Sequence, residues 1–600
     1  MDAFVGIVSP SRSPLKRCDA LHQQQLGRMQ LASSQPDLLL PPQAGSSLSF
    51  FGRPQWQSQP LCRQQSQQDF QLSFQKDQQR ALDTLNGSFV LLAYQNERLS
   101  LFTDPFASQG IYYCQLGERF MFANKLGLLL QQLPQMPELD PQAIYHYLYF
   151  HMIPSPDTIY QGIKKMRPGE KLEFDKGQLT THNYFQPQFV EQTGTSHTKL
   201  AEQLQHTLAD AVARNVDTGS TGSFLSGGLD SSTITGLLNQ QQPQSPSFSI
   251  GFDVEKYNEL PWARLTSRHF NSQSHEYTVT ADETADIIPI IAAGQDEPFG
   301  NSSVIPTYFC ARFAQQQGQQ VLLAGDGGDE LFAGNERYAK QQVFELYHKL
   351  PRPLRQQVFD RSGQSSWCQR TKGLQKLASY VNQANVPLPD RLQSYNFIHR
   401  MGAKHFLKQD FIESIHLAQP DKMNRTRYHQ PANASSLNRM LWLDWKHTLA
   451  DNDLKKVSNM CQLAGVEVRY PMLDREVVDL SCQIPSNMKL PFGKLRHFYK
   501  QSFKSFLPLE LQTKPKHGFG LPFGMWAKQH KGLQSLAQSG IATLSDMDIF
   551  NPDLLHQVTH LHQQEHAEYY GEMMWILMML GLWMQQHQDL KLAFNRDNAA

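Results

Sequence analysis

The sequence predicts an α/β multidomain chain: an antiparallel β domain followed by a doubly wound parallel sheet with its helices. Three observations carry this. Between residues 85 and 123, strand-like apolar runs alternate with short polar turns. From about Leu200 onward, apolar strands alternate with helical stretches. The first strand of that second region then runs into Ser226-Gly227-Gly228-Leu229-Asp230-Ser231-Ser232, a glycine-rich loop at the strand end where such sheets bind ligands.

A chain of 600 residues has material for roughly two to four domains with sizeable cores. Lys plus Arg and Asp plus Glu number 55 each, so the formal net charge is zero and no polyanion-binding face is required. Nucleic acid is not an expected partner. The cysteines, Cys18, Cys62, Cys114, Cys310, Cys368, Cys461 and Cys482, are odd in number and scattered, with no Cys-x-x-Cys pair. This argues against a disulfide framework or a zinc site and for a reducing compartment. The first residues lack the basic-then-apolar order of a secretory signal, so a cytoplasmic location is expected. The most hydrophobic stretch, Met573 to Met584, falls short of the roughly 20 residues of a membrane span. A buried or partner-facing helix is expected there, and no membrane.

In chain order, Phe4-Val5-Gly6-Ile7-Val8 reads as a short strand, and the Gln-rich region after it, to about residue 78, shows no clear period. Phe89 to Tyr94 and Leu99 to Phe102 flank Gln95-Asn96-Glu97-Arg98 as one hairpin, and Ile111 to Tyr113 with Arg119 to Ala123 make a second. Asp140 to Phe150 has a helical pattern that Ile153-Pro154-Ser155-Pro156 breaks. The parallel sheet is expected to contain Ser223 to Leu225, Ser247 to Phe252 and Gln320 to Ala324.

The loop after Leu225 has the makings of a phosphate cradle. Adjacent glycines let backbone approach an anion without a Cβ in the way, so that consecutive N–H groups and a helix N-terminus point at phosphate oxygens. Ser226, Ser231 and Ser232 add hydroxyls, and Asp230 offers an oxygen ligand for the Mg²⁺ that accompanies ATP. No Lys-Ser or Lys-Thr pair closes the loop, so it is not a Walker A motif. A second loop, Gly325-Asp326-Gly327-Gly328-Asp329-Glu330, brings three carboxylates to the end of another buried strand.

Ser-Gly-Gly-Leu-Asp-Ser-Ser resembles the pyrophosphate loop of the ATP pyrophosphatases. Leu85-Asn86-Gly87-Ser88-Phe89, Asp104-Pro105-Phe106, Ile111-Tyr112-Tyr113 and Phe122-Ala123 resemble the glutaminase domain of asparagine synthetases. The resemblance implies an N-terminal antiparallel β sandwich of Ntn-hydrolase type over residues 1–185. It also implies an asparagine synthetase-like ATP-pyrophosphatase domain over 195–590, with a helical lobe from about 340 to 590. Gly465 to Asp474 and Lys514 to Pro522 resemble motifs of that lobe. The implied nucleotide site comprises Leu225, Ser226, Gly227, Gly228, Asp230, Ser231, Ser232, Ile250, Ala324 and Gly325. Asp230 and Asp329 are the implied Mg²⁺ ligands, Asp326 an acidic position tied to acyl-adenylate formation, and Asp296 and Glu297 the substrate side.

Two departures from the family matter. Where the family begins Cys-Gly-Ile, with the thiol and free amine of that cysteine attacking glutamine, this chain has Val5-Gly6-Ile7 preceded by four residues. Valine has no group to attack a carboxamide, neither Cys18 nor Cys62 replaces it, and glutamine hydrolysis by the family route is not expected. Where the family has a phosphate-contacting lysine, Lys494-Leu495-Arg496-His497-Phe498 places Arg496; Lys494 serves instead if the register slips by two. Arginine neutralises phosphate but does not readily give up a proton.

The resemblance implies an amide ligase that forms an acyl-adenylate from ATP, with aspartate as default substrate and asparagine as product. Three functions stay open. One is an asparagine synthetase using free ammonia or ammonia from a partner glutaminase. A second is a ligase for another carboxylate and amine, of the β-lactam synthetase or lasso-peptide cyclase kind; Asp326 weighs against the former, which carries tyrosine there. The third is a non-catalytic nucleotide-binding protein. The resemblance also suggests a homodimer.

Overall fold

The computed structural model describes residues 3–9, 15–16, 21–34, 46–61, 64–348, 351, 372–393, 396–514, 520–587, 590 and 592. Cys18, Cys62, Cys368 and Pro515 to Phe519 of the motif after Lys514 lie outside them. Strands β1 (Phe4–Val8), β2 (His22–Leu26), β3 (Met29–Ser33), β4 (Ser46–Trp56), β5 (Gln59–Pro60), β6 (Leu85–Gln95), β7 (Arg98–Thr103), β8 (Tyr112–Leu116), β9 (Arg119–Ala123), β10 (Lys164–Lys165), β11 (Glu170–Asp175) and β12 (Gln178–Asn183) form two six-stranded sheets. Their orders are β10-β8-β9-β1-β3-β2 and β12-β11-β7-β6-β4-β5, antiparallel throughout. Both expected hairpins, β6 with β7 and β8 with β9, are present.

Alternation along β1 explains how the sheets stack. Phe4 and Val8 join Phe51, Val90, Leu101 and Phe174 from the other sheet in a core between the two, with Phe4 stacked on Phe51. Val5 and Ile7 point to the opposite face, into a core shared with the helix Pro141–Phe150 and the helix Ala567–Gln585. The latter contains the apolar run Met573 to Met584, whose residues are all buried. Among the described residues no helix is long and apolar enough to cross a membrane.

The Gln-rich region is more ordered than its composition announces. It supplies β2 to β5 and the helix Gln64–Lys76. Period is masked because β2 shows mostly solvent-facing residues, while the helix buries little beyond Phe70, Gln71 and Phe74.

Strands β13 (Thr221–Phe224), β14 (Pro246–Phe252), β15 (Gln273–Val279), β16 (Val321–Leu323) and β17 (Glu467–Arg469) form a parallel sheet in the order β15-β14-β13-β16-β17. β15 is a polar edge strand, and β17 comes from a stretch read above as part of the helical lobe. Three residues between helices are too few to show a strand period. Because the order reverses about β13, the loops leaving adjacent β13 and β16 open into one crevice.

Candidate active site

The first loop is held in shape by its own hydroxyls. Leu225 N–H continues the sheet by donating to Phe248 O at 2.8 Å; beyond it the Ser226 and Ser231 hydroxyls lie 3.1 Å apart. Gly228 N–H donates to Ser226 Oγ at 3.3 Å. Gly227 has φ +68, and a Cβ there would stand 2.5 Å from Trp262 Cβ, so both conformation and space require glycine. Gly228 caps the helix Leu229–Gln241 without a side-chain cap bond, leaving Asp230 in its first turn. Gly325, following the buried Ala324, sets the second loop's backbone against Asp230 and Ser231.

One expected member stands elsewhere. Ser232 turns inward: it is buried, its hydroxyl lies 2.9 Å from Thr266 Oγ1, and its N–H donates to Gly228 O. It sits on the helix face packed against Leu260–Phe270, so it adds no hydroxyl to the cradle. Ile250 is a buried core residue of β14.

Arg496 ties the two loops together. Its Nη1 donates to Asp329 Oδ1 at 2.8 Å and its Nη2 to Asp230 Oδ1, while Lys494 is exposed. Burial pulls the Arg496 guanidinium down to about 10, which leaves it charged at neutral pH. Its buried Nε has no hydrogen-bond partner. Among the described residues no three His, Cys, Asp or Glu side chains group to hold a metal ion. Two carboxylates beside a glycine loop could be the protein's share of a Mg²⁺ site that phosphate oxygens would complete, so the residues present fit Mg²⁺ with ATP.

Asp326 stands beside this pair. Burial pushes its carboxyl up to about 6, against the pull of Lys456 and helped by Asp453 and Asp329. Lys456 is itself paired with Asp453 at 3.0 Å. Glu330, buried and facing Asp329, Asp453 and Asp444, is raised well above the carboxylate range. Because the folded-state value of Asp326 exceeds the ordinary one, its contribution to stability is full below about pH 4 and is lost as pH rises through about 6. Asp326→Asn should therefore melt about 1–3 °C above the native protein at pH 7.5, with the gap narrowing towards pH 5. Melting curves across that range check it; a gap that widens on acidification would contradict the assignment.

Asp296 and Glu297 sit where the second region meets the β sandwich. Glu297 accepts from Lys165 Nζ at 2.6 Å and from Ile159 N–H at 2.9 Å, so its carboxylate is spent on the connection between the two regions. Asp296 accepts from the buried Tyr112 hydroxyl.

Val5 occupies a core position with no exposed surface, opposite Ala32 and Ala123 in neighbouring strands. Cys114 lies in the same cluster, its thiol pushed up to about 12 by burial. Among the described residues no activated thiol stands there. One contributor is missing from the sequence reading: Lys514, quoted there only as part of a motif, donates to Gly227 O at 3.1 Å and to Glu259 Oε1 at 2.7 Å. It braces the phosphate loop from nearly 290 residues away, and only its place at the head of a Lys-Pro-Lys motif hinted at a role.

The asparagine synthase family model matches residues 203–585. The chain belongs to the asparagine synthase family. The glutamine amidotransferase domain model matches residues 66–185, a stretch that begins after Val5. The glutamine-hydrolysing asparagine synthetase 1 of Bacillus subtilis (strain 168) is 26% identical over 456 residues, 75% of this chain and 70% of that protein. Asparagine synthetase 3 of the same organism is 22% identical over 460 residues, covering 73% and 68%. Membership in the asparagine synthase family makes the protein an ATP-dependent ligase that forms carbon–nitrogen bonds.

Proposed function

We propose that the protein converts aspartate to asparagine, forming AMP and pyrophosphate by way of an acyl-adenylate, and takes its nitrogen as ammonia rather than from its own glutaminase-like domain. The observation that carries the adenylation half is the convergence of Asp230, Asp329 and Arg496 beside the Gly227-Gly228 cradle. The nitrogen half rests on Val5, a buried strand residue where a nucleophile would be needed.

Asp230 and Asp329 would hold Mg²⁺, which screens the phosphate charge. Backbone N–H groups at the start of the helix Leu229–Gln241, with the Ser226 and Ser231 hydroxyls, orient the β- and γ-phosphates. The Nε–H of Arg496 supplies a donor already desolvated and unspent. The aspartate carboxylate attacks the α-phosphorus and pyrophosphate leaves. Ammonia then attacks the activated carbonyl, AMP departs, and the nitrogen sheds a proton. Asp326, with its carboxyl near 6, can accept it; Arg496 cannot exchange one readily. A cytoplasmic location, a homodimer and an outside source of ammonia, free or from a separate glutaminase, complete the proposal.

The test is pyrophosphate and asparagine formation from Mg-ATP and aspartate with ammonium, with glutamine, or with neither. Asparagine is expected with ammonium only. Asparagine formed equally well from glutamine would overturn the ammonia assignment. Pyrophosphate release absent with aspartate but present with another carboxylate and amine would favour the ligase of other specificity, and loss of ATP binding would favour a non-catalytic protein.

A further inference from the structure

Arg496 is built into the Asp230–Asp329 pair rather than resting near it. Its backbone is left-handed, with φ 57, and its N–H donates to Ala333 O at 3.2 Å, just ahead of the helix His497–Ser502. From that fixed point the guanidinium lies over the Tyr499 ring at 4.6 Å and forks, one nitrogen to each aspartate. Two glycines make the fit close. A Cβ at Gly328 would overlap Asp230 Oδ1, and one at Gly334 would overlap Asp329 Oδ1. A lysine would offer its N–H donors from one nitrogen and not from two nitrogens fixed apart in a plane.

We propose that Arg496 is a resident counter-ion that closes the Asp230–Asp329 pair to a bare divalent cation, so that metal enters only together with a polyphosphate. The proposal rests on reading the glycine loop as a nucleotide site. Two carboxylates already share one guanidinium; a dication entering between them meets that guanidinium directly in a partly buried site, where repulsion is poorly screened. A polyphosphate reverses that balance. Its oxygens outnumber the carboxylate acceptors, and the Nε–H of Arg496 has no partner in the protein that it would have to give up. The guanidinium then moves off the aspartates along the Tyr499 face, which stays attractive to a cation, and the carboxylates are released to the metal.

The experiment titrates the full chain with Mn²⁺ alone, reading free ion by electron paramagnetic resonance. The native protein should bind no more tightly than Asp230→Ala. Arg496→Met should gain one site at least about tenfold tighter, lost again in the Arg496→Met, Asp230→Ala double variant, with Arg496→Lys in between. ATP added to the native protein should restore tight Mn²⁺ binding. Melting curves accompany the titration: metal-free Arg496→Met should melt lower than native and recover more on adding Mn²⁺. Bare Mn²⁺ held by the native protein as tightly as by Arg496→Met would overturn the proposal. So would no gain in a folded Arg496→Met or Arg496→Lys protein. Failure of the nucleotide reading looks different: the native protein would bind no ATP even with Mn²⁺, whatever the metal-alone comparison shows.

Discussion

Asp230→Ala should lower pyrophosphate release by at least about 10³-fold, roughly 4 kcal/mol of barrier at 1.36 kcal/mol per factor of ten. Asp230 stands in the first turn of the helix proposed to cradle phosphate, and one of its oxygens meets both Arg496 and the space above Gly328. Its loss takes away a proposed metal ligand and also leaves Arg496 with Asp329 as its one aspartate partner from the pair. The rate should not recover with higher ATP, because the lost charge bears on the departing pyrophosphate and not only on ground-state binding. A variant with native turnover at saturating ATP would show that Asp230 merely helps to bind nucleotide.

Gly334→Ala should cost about 100-fold in kcat/KM for ATP and also lower the melting temperature, because it separates Asp329 from the buried Arg496. The added methyl would occupy the place of Asp329 Oδ1 and press on Arg496 Cδ at 2.9 Å, so the carboxylate must rotate away from the pair. Gly194→Ala, where a methyl meets nothing within 4 Å, is the silent control. Equal rates for the two variants would mean that the position of Asp329 is not critical.

The contrast between these glycines shows what kind of information the chain carries locally. Gly227 and Gly228 stand out in the sequence because they are adjacent, follow an apolar strand and precede a helix with an early carboxylate. Gly334 carries no such mark. Its importance appears only when Asp329 and Arg496, 167 positions apart, meet beside it. Ser232 shows the reverse: its place in the motif invites a phosphate contact, but the helical turn rotates it onto the buried face against Thr266.

Hydrophobic alternation along single segments determined the two hairpins, the parallel strands from β13, β14 and β16, and the burial of Met573 to Met584, because each depends only on neighbours in sequence. The absence of a nucleophile at Val5 was equally legible, since chemistry that a side chain lacks cannot be restored by folding. Tertiary structure alone decided the rest. It drew β17 from beyond residue 460 into the sheet, tied Glu297 to Lys165, set Lys514 beneath Gly227 and chose Arg496 over Lys494 as the cation between the aspartates. These are contacts between distant segments, and their partners are fixed by packing and by the need to pair buried charge, neither of which leaves a period or a motif at either end.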